Sequence, residues 1–333
     1  MAEIGLTVAC GNYDRTRPIL DGRIGIDGCR VIPVAIGTED AFPRAVSRQE
    51  FDVSELSLSS YLLQVSRGDC GYIGIPVFLS RGFKHEAVYV RADSGIEEPK
   101  DLEGRLVGVP EYQMTLALWV RGILQDEYGV DFRKFKYRTG GTNRAGRKER
   151  LPLKLPDHMD VQPIDPERTL NELILAGELD AIMAPGPPQA FVDGDPQVRR
   201  LIQDTPTVER AYYKKFGLFP IMHLVGIRRE LVEQHPWLPA RVFTAFVEAK
   251  KIAMAELTAI AAAGANPLTM PWFGAELAAT RALMGEDFWR YGVAGNRAEL
   301  DAMCRYSTEQ YLAERPISVE ELFAPETLEM PGA

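Results

Sequence analysis

The 333-residue sequence is poor in the residues that announce a metal centre or a disulfide scaffold, with four cysteines and four histidines. Cys10, Cys29, Cys70 and Cys304 show no C-x-x-C spacing. Free thiols in a reducing compartment are therefore expected rather than a structural zinc site. His85, His158, His223 and His235 form no H-x-H or H-x-x-x-H pair, so no metal is expected and metal-dependent chemistry is disfavoured. No apolar run approaches the ~18 residues that a bilayer span requires, since Lys250, Lys251 and Glu256 interrupt even the alanine-rich stretch near Ala261. Positive charge is not in excess either. The 38 Lys and Arg stand against 47 Asp and Glu, a formal charge of −9, which argues against nucleic acid or an anionic membrane as the main partner. An anionic small molecule stays compatible, because a few arginines can dominate one cleft. The opening MAEIGLTVACGNYD lacks the basic and apolar regions of an export signal, so the mature chain is expected to begin near Met1 and to reside in the cytoplasm. Repeats, heptads and low-complexity tracts are missing as well, which excludes a solenoid or coiled coil.

What is present reads as alternating strands and helices, the pattern of an α/β protein with parallel sheets. Strands are expected around Ile4 to Val8, at Arg30 to Ile36, Phe51 to Leu56, Tyr72 to Leu79, around Val88 and Val90, and at Leu106 to Val109, Asp180 to Met183 and Phe219 to Ile227. Helical spacing appears from Asp40 to Arg48 and from Leu116 to Gly129, where Trp119 belongs to the apolar stripe. It recurs from Thr169 to Gly177 and, most clearly, from Val242 to Ile260 before Gly264. Thr139 to Pro166 is rich in Gly, Arg and Pro and suits a long irregular excursion. Ser318 and Glu321 have the spacing of a capping box. A chain this long exceeds the usual span of one core, so two lobes are the default.

DLEGRLVGVP, a strand introduced by Asp-Leu-x-Gly and ended by Gly-Val-Pro, resembles the second lobe of type II periplasmic binding proteins. Read with YDRTRPILDG, FDVSELSLSSY, PVFLSRGFKHEAVYVR, EYQMTLALWVRGILQDEYGV, FPIMHLVGIRREL and the segments from Tyr291 to Glu329, nearly the whole chain resembles the 4,5-dihydroxyphthalate decarboxylase family. The sequence departs from that pattern around Phe42 to Ala45 and in the Gly141 to Arg150 loop. The resemblance implies a two-lobed type II periplasmic-binding-protein-like fold with a ligand cleft between lobes. Residues 1–88 and 222–333 would form lobe 1, and residues 89–221 lobe 2. It implies decarboxylation of a hydroxylated aromatic acid, 4,5-dihydroxyphthalate to 3,4-dihydroxybenzoate, with no cofactor. The partner would be a small-molecule aromatic carboxylate, and a homo-oligomer is compatible.

Such chemistry needs a base, an acid and a clamp for the spare carboxylate, because the ring must accept a proton before carbon dioxide leaves. Histidine can supply acid or base at neutral pH. His223 and His85 flank the two lobe crossings and are the candidates, with Glu55 as a group that orients a histidine; a core or turn-fixing role is the competing reading for each. His235 reads as a cap and His158 has no role. Arginine suits carboxylate clamping, which singles out Arg81 and Arg15 after strands and Arg147 in the second-lobe loop. Ser57 and Ser60 could bond phenolic oxygens, although serines at strand-to-helix junctions also serve as N-caps. Glu111, Gln113 and Thr115 lead into a helix whose N-terminus favours an anion. Two other readings share these features: a non-catalytic organic-anion binding protein, and a carbon–nitrogen or ring-forming biosynthetic enzyme on the same fold.

Overall fold

Runs of β-branched and aliphatic residues sort into two sheets. The computed structural model describes residues 3–265 and 267–332. Met1, the expected start of the mature chain, and Ala333, the end of the 222–333 range, lie outside the described residues. The strands are β1 (Ile4–Cys10), β2 (Cys29–Ala35), β3 (Val53–Ser57), β4 (Tyr72–Arg81), β5 (Val88–Arg91), β6 (Leu106–Val109), β7 (Lys136–Thr139), β8 (Val161–Pro163), β9 (Ala181–Met183), β10 (Val198–Arg200) and β11 (Ile221–Arg228). One sheet has the order β2-β1-β3-β11-β4 and the other β10-β5-β9-β6-β7-β8. The chain thus leaves the first sheet after β4, builds the second from six consecutive strands, and returns with β11.

That return corrects the expectation of purely parallel sheets. β1 runs parallel to β2 and β3, but β11 runs antiparallel to both β3 and β4. A strand re-entering from the other sheet meets its neighbours head-on. β5 likewise runs antiparallel to β9 and β10. β8 is a second correction, because it forms inside the stretch expected to be irregular and pairs with β7.

Helices cover the sheets at Thr38–Arg48, Leu58–Arg67, Thr115–Tyr128, Thr205–Phe216 and Leu238–Ala262. Gly129, at φ 63°, ends the third of these in the left-handed conformation that glycine adopts without strain. Trp119 on that helix is fully buried, and its indole N–H donates to the Ile221 carbonyl over 2.8 Å. The contact ties the helix that follows β6 of the second sheet to the returning strand of the first sheet. The Ser318–Glu321 capping box forms as its spacing predicts. Among the described residues no helix is long and apolar enough to cross a membrane.

Two local features of the first sheet centre on β11. The β11–β4 register shifts on either side of His223, and such bulges re-aim side chains. Strict strand alternation would send consecutive residues to opposite faces, yet Met222 and His223 both face the same cavity. Next, Gly74 of β4 stands opposite Gly226 of β11, and neither has room for a side chain. A Cβ on Gly74 would lie 2.6 Å from the Leu322 carbonyl and 2.9 Å from Leu224 Cδ1. Gly74→Ala should therefore lose about 1–3 kcal/mol through overpacking, seen as a lower urea midpoint with an unchanged slope. A midpoint equal to that of the unmodified chain would show that the sheet yields freely there.

Candidate functional site

β3 carries Glu55 and β11 carries His223. Val225 is the direct cross-strand partner of Glu55, so His223 is its diagonal neighbour on the same face, within reach of a long side chain. The imidazole Nδ1 lies 2.7 Å from Glu55 Oε1. Glu55, 1% exposed, also accepts from the Gly11 amide at 3.0 Å and from the Tyr13 hydroxyl at 3.0 Å. Burial pushes the Glu55 carboxyl up; the hydrogen bond and charge of His223, with the donors Gly11 and Tyr13, outweigh it and hold the carboxyl below its usual range. Burial and the neighbouring Glu55 charge conversely push the Tyr13 phenol up, so it stays a donor. The carboxylate in turn favours the tautomer with the proton on Nδ1, which leaves Nε2 as the lone-pair nitrogen. The Phe42 ring meets the imidazole edge-on with centroids 4.8 Å apart.

His223 opens onto a cavity of about 170 Å³ between the two sheets' lobes. Phe42, Ser57, Ser80, Lys84 and Met222 line it from one side, and Met114, Thr115, Arg147 and Arg150 from the other. The space is below the ~300–1,000 Å³ typical of drug-sized ligands and matches a single-ring compound better. Three helices begin at it, Thr38–Arg48, Leu58–Arg67 and Thr115–Tyr128, so their N-terminal amides favour an anion there. A larger hollow of about 870 Å³ lies along the Thr139 to Arg168 excursion, but His223 does not line it. Among the described residues no group of three or more His, Cys, Asp and Glu is placed to hold a metal ion.

The structure brings several of the sequence candidates to this cavity. Ser57 Oγ lies 2.9 Å from Thr115 Oγ1, a bond that spans the two walls. Ser60, just behind, lies within 3.3 Å of Gln113 Oε1 and accepts from Arg150 at 3.4 Å. Gln113 is fully buried and its amide donates to Glu149 and to the Leu151 carbonyl, each at 3.1 Å, so it supports the wall and does not present a group to a ligand. Arg147 lines the cavity, donating to Glu111 at 2.7 Å and to Glu39 at 3.0 Å. Glu111, buried, also accepts from Arg150 at 3.1 Å, which makes it the counter-ion of two arginines instead of a direct ligand contact.

Three candidates are placed elsewhere. Ser80 faces the cavity, so strand alternation sends its neighbour Arg81 to the opposite face. There the Arg81 side chain, 0% exposed, meets Asn296 at 2.6 Å and Glu299 at 3.3 Å. Burial, opposed by Glu299, brings its guanidinium down to about 10. Arg15 donates to the Leu79 carbonyl at 2.9 Å and stacks over Trp289 at 4.0 Å. His85 is buried at the entry to β5, 3.2 Å from Glu127 and 5.0 Å between ring centroids from Tyr212. Burial pulls its pKa down, with Glu127 opposing. None of the three lines the cavity.

Sequence reasoning missed Tyr13, Phe42, Lys84, Arg150 and Glu39. Tyr13 and Lys84 sit beside chosen residues in segments already singled out, and Arg150 closes the loop that departs from the family pattern. Lys84 is the least expected: burial pulls its ammonium down despite nearby Glu86 and Glu209. Arg81→Ala should therefore cost stability, on the scale of about 3–5 kcal/mol for a buried ion pair stripped of one partner, while substrate KM stays within about twofold. A raised KM with unchanged denaturant midpoint would return Arg81 to the clamp.

No family model matches the chain. It is 41% identical over 329 residues to the 4,5-dihydroxyphthalate decarboxylase of Comamonas testosteroni, covering 99% of each chain. It is 39% identical over 214 residues to the enzyme of the same name from Pseudomonas putida, covering 64% of this chain and 83% of that one. Among solved structures, the periplasmic aliphatic sulphonate binding protein SsuA from Escherichia coli matches over 99% of this chain and 100% of its own, at a TM-score of 0.55 and 12% identity. That likeness confirms the two-lobed binding-protein fold, and the sequence identity over the full length places the chain in the 4,5-dihydroxyphthalate decarboxylase family.

Proposed function

We propose that the protein decarboxylates 4,5-dihydroxyphthalate to 3,4-dihydroxybenzoate, with His223 as the proton-transferring group. The observation that carries this is the 2.7 Å contact of His223 with a buried Glu55 held by two further donors. A receptor that only binds an anion needs the arginines but gains nothing from a carboxylate buried behind a histidine.

In the proposed sequence, the retained carboxylate rests between Arg147 and Arg150, and the ring occupies the space beside Phe42. Nε2 of His223 takes the proton from the hydroxyl para to the leaving carboxylate. Glu55 stabilises the imidazolium that forms, since a buried opposite charge favours it. The phenolate pushes electrons onto the carbon that bears the carboxylate, and that carbon accepts a proton. The carbon–carbon bond then breaks, its electron pair restores the aromatic ring, carbon dioxide leaves, and the phenolate recovers its proton from His223. The net reaction consumes one proton per turnover. Lys84 is the proposed donor to carbon, because it lines the same cavity and burial makes its ammonium a better acid. The ring itself is the electron sink, so no cofactor is needed.

The two lobes would comprise residues 1–88 with 222–333, and 89–221, and would close on the ligand about the crossings after β4 and before β11. The compartment proposed is the cytoplasm, and the partner a small aromatic carboxylate rather than nucleic acid or membrane, with self-association compatible. His223→Ala should lower turnover by roughly 10²–10⁴-fold, the scale of general acid–base catalysis, with phthalate binding still measurable by calorimetry. Product formed in heavy water should carry one deuterium at the carbon that lost its carboxyl group. Near-normal turnover in the His223 variant would sink the assignment.

A further inference from the structure

Glu39 bridges the two walls of the cavity in a way the proposed reaction does not require. It lies in the first turn of the helix Thr38–Arg48 on the first-lobe side. Both its carboxylate oxygens accept from Arg147 Nη1, at 3.3 and 3.0 Å. The two acids on Arg147 are not equivalent. Glu111 is 3% exposed at its side chain and is held additionally by Arg150 through both side chain and backbone amide. Removing it would strip two arginines of their counter-ion. Glu39 is 72% exposed at its side chain, and Arg147 is its one ion-pair partner among the described residues. It can swing into water and recover its hydration at little cost, as exposed ion-pair members do.

Charge counting points the same way. Arg147 and Arg150 carry two positive charges, and Glu111 and Glu39 together neutralise them. A ligand carboxylate that joined this set without displacing an acid would leave three negative groups on two cations. If Glu39 departs, the balance is restored. Arg147 therefore presents one exchangeable carboxylate position, which an internal carboxylate, Glu39, occupies.

We propose that Glu39 is a specificity-determining placeholder: it holds the position that the retained carboxylate of the substrate takes, and the substrate must displace it. This rests on the decarboxylase reading only for the identity of the carboxylate. A ligand without a carboxylate in reach of Arg147 leaves the bridge intact and gains nothing from the arginine. Competition with Glu39 also limits how tightly any carboxylate is held, so the product, which keeps its carboxylate, is released more readily.

The test uses full-length protein and phthalate, which has the paired carboxylates and lacks the hydroxyls that turnover requires. Calorimetry on the unmodified chain and on Glu39→Gln should show phthalate binding roughly twofold to fivefold tighter in the variant, the scale of an exposed ion pair. The gain should vanish when Arg147→Gln is added, because the two substitutions act on one contact. Benzamide, which bears no carboxylate, should bind neither form better than the other. Equal or weaker phthalate binding by Glu39→Gln, or no binding by either form, overturns the proposal. A lack of 4,5-dihydroxyphthalate turnover beside tighter phthalate binding would defeat the decarboxylase reading and leave the placeholder standing.

Discussion

The charge on Glu55 is the constraint on which the rest of this site depends. A carboxylate that is 1% exposed is stable as an anion only if its lone pairs are met by donors. The fold brings them from three places: the Gly11 amide beyond β1, the Tyr13 hydroxyl in the following turn, and His223 from β11. Tyr13 is placed in turn by Thr16, whose hydroxyl accepts from the Tyr13 amide at 2.9 Å and donates to the Gly11 carbonyl at 2.6 Å. One buried anion therefore orders the loop after β1, the bulge in β11 and the tautomer of the histidine. Loss of any donor would raise the Glu55 pKa toward protonation, and a protonated Glu55 would no longer favour the imidazolium.

The antiparallel return of β11 is what makes this possible. Had the last strand entered parallel, at the sheet edge, His223 would not sit diagonally from Glu55. Inserted between β3 and β4, it is held on both sides and locked from above by the Trp119 indole on the Ile221 carbonyl. The same insertion closes the gap between lobes, since β11 belongs to one sheet while its first residue is bonded to a helix of the other half. In the closure proposed above, relative motion of the lobes would be absorbed near Ile221 and near His85, where the chain passes between the two sheets. His85 there packs among Glu127, Glu209 and Tyr212, which explains its burial as a structural feature of the crossing.

Much of the fold was legible in the sequence, because strands and helices are written in local periodicity. The runs at Leu106–Val109 and Leu238–Ala262, the Ser318–Glu321 box and the core position of Trp119 all follow from spacing and residue type. The direction of β11 was not, since parallel and antiparallel pairing leave no difference in a single strand's sequence. The site was legible in part for the same reason. Glu55 and His223 lie in segments that could be recognised, but their contact spans 168 positions in the chain. Arg81 illustrates the limit most clearly: it and Ser80 are adjacent, yet strand alternation gives one to the cavity and the other to Glu299. A shift of one residue decides between ligand contact and structural ion pair. Lys84 and Arg150 escaped notice because a cation's role depends on which acids surround it, and those acids come from distant segments.

Electrostatics also fixes how a dicarboxylate must lie. A carboxylate that departs as neutral carbon dioxide loses its negative charge during the reaction, so cations gathered tightly around it would stabilise the starting state more than the transition state and slow the step. The arginine pair, already neutralised by Glu111 and Glu39 and set on the second-lobe wall, suits the carboxylate that stays. The leaving group belongs instead in the part of the cavity away from that pair. In that orientation the para hydroxyl points across the ring from the leaving carboxylate, so the base that removes its proton and the acid that protonates carbon must be two different groups. His223 and Lys84 are separate side chains on separate segments, as this division requires.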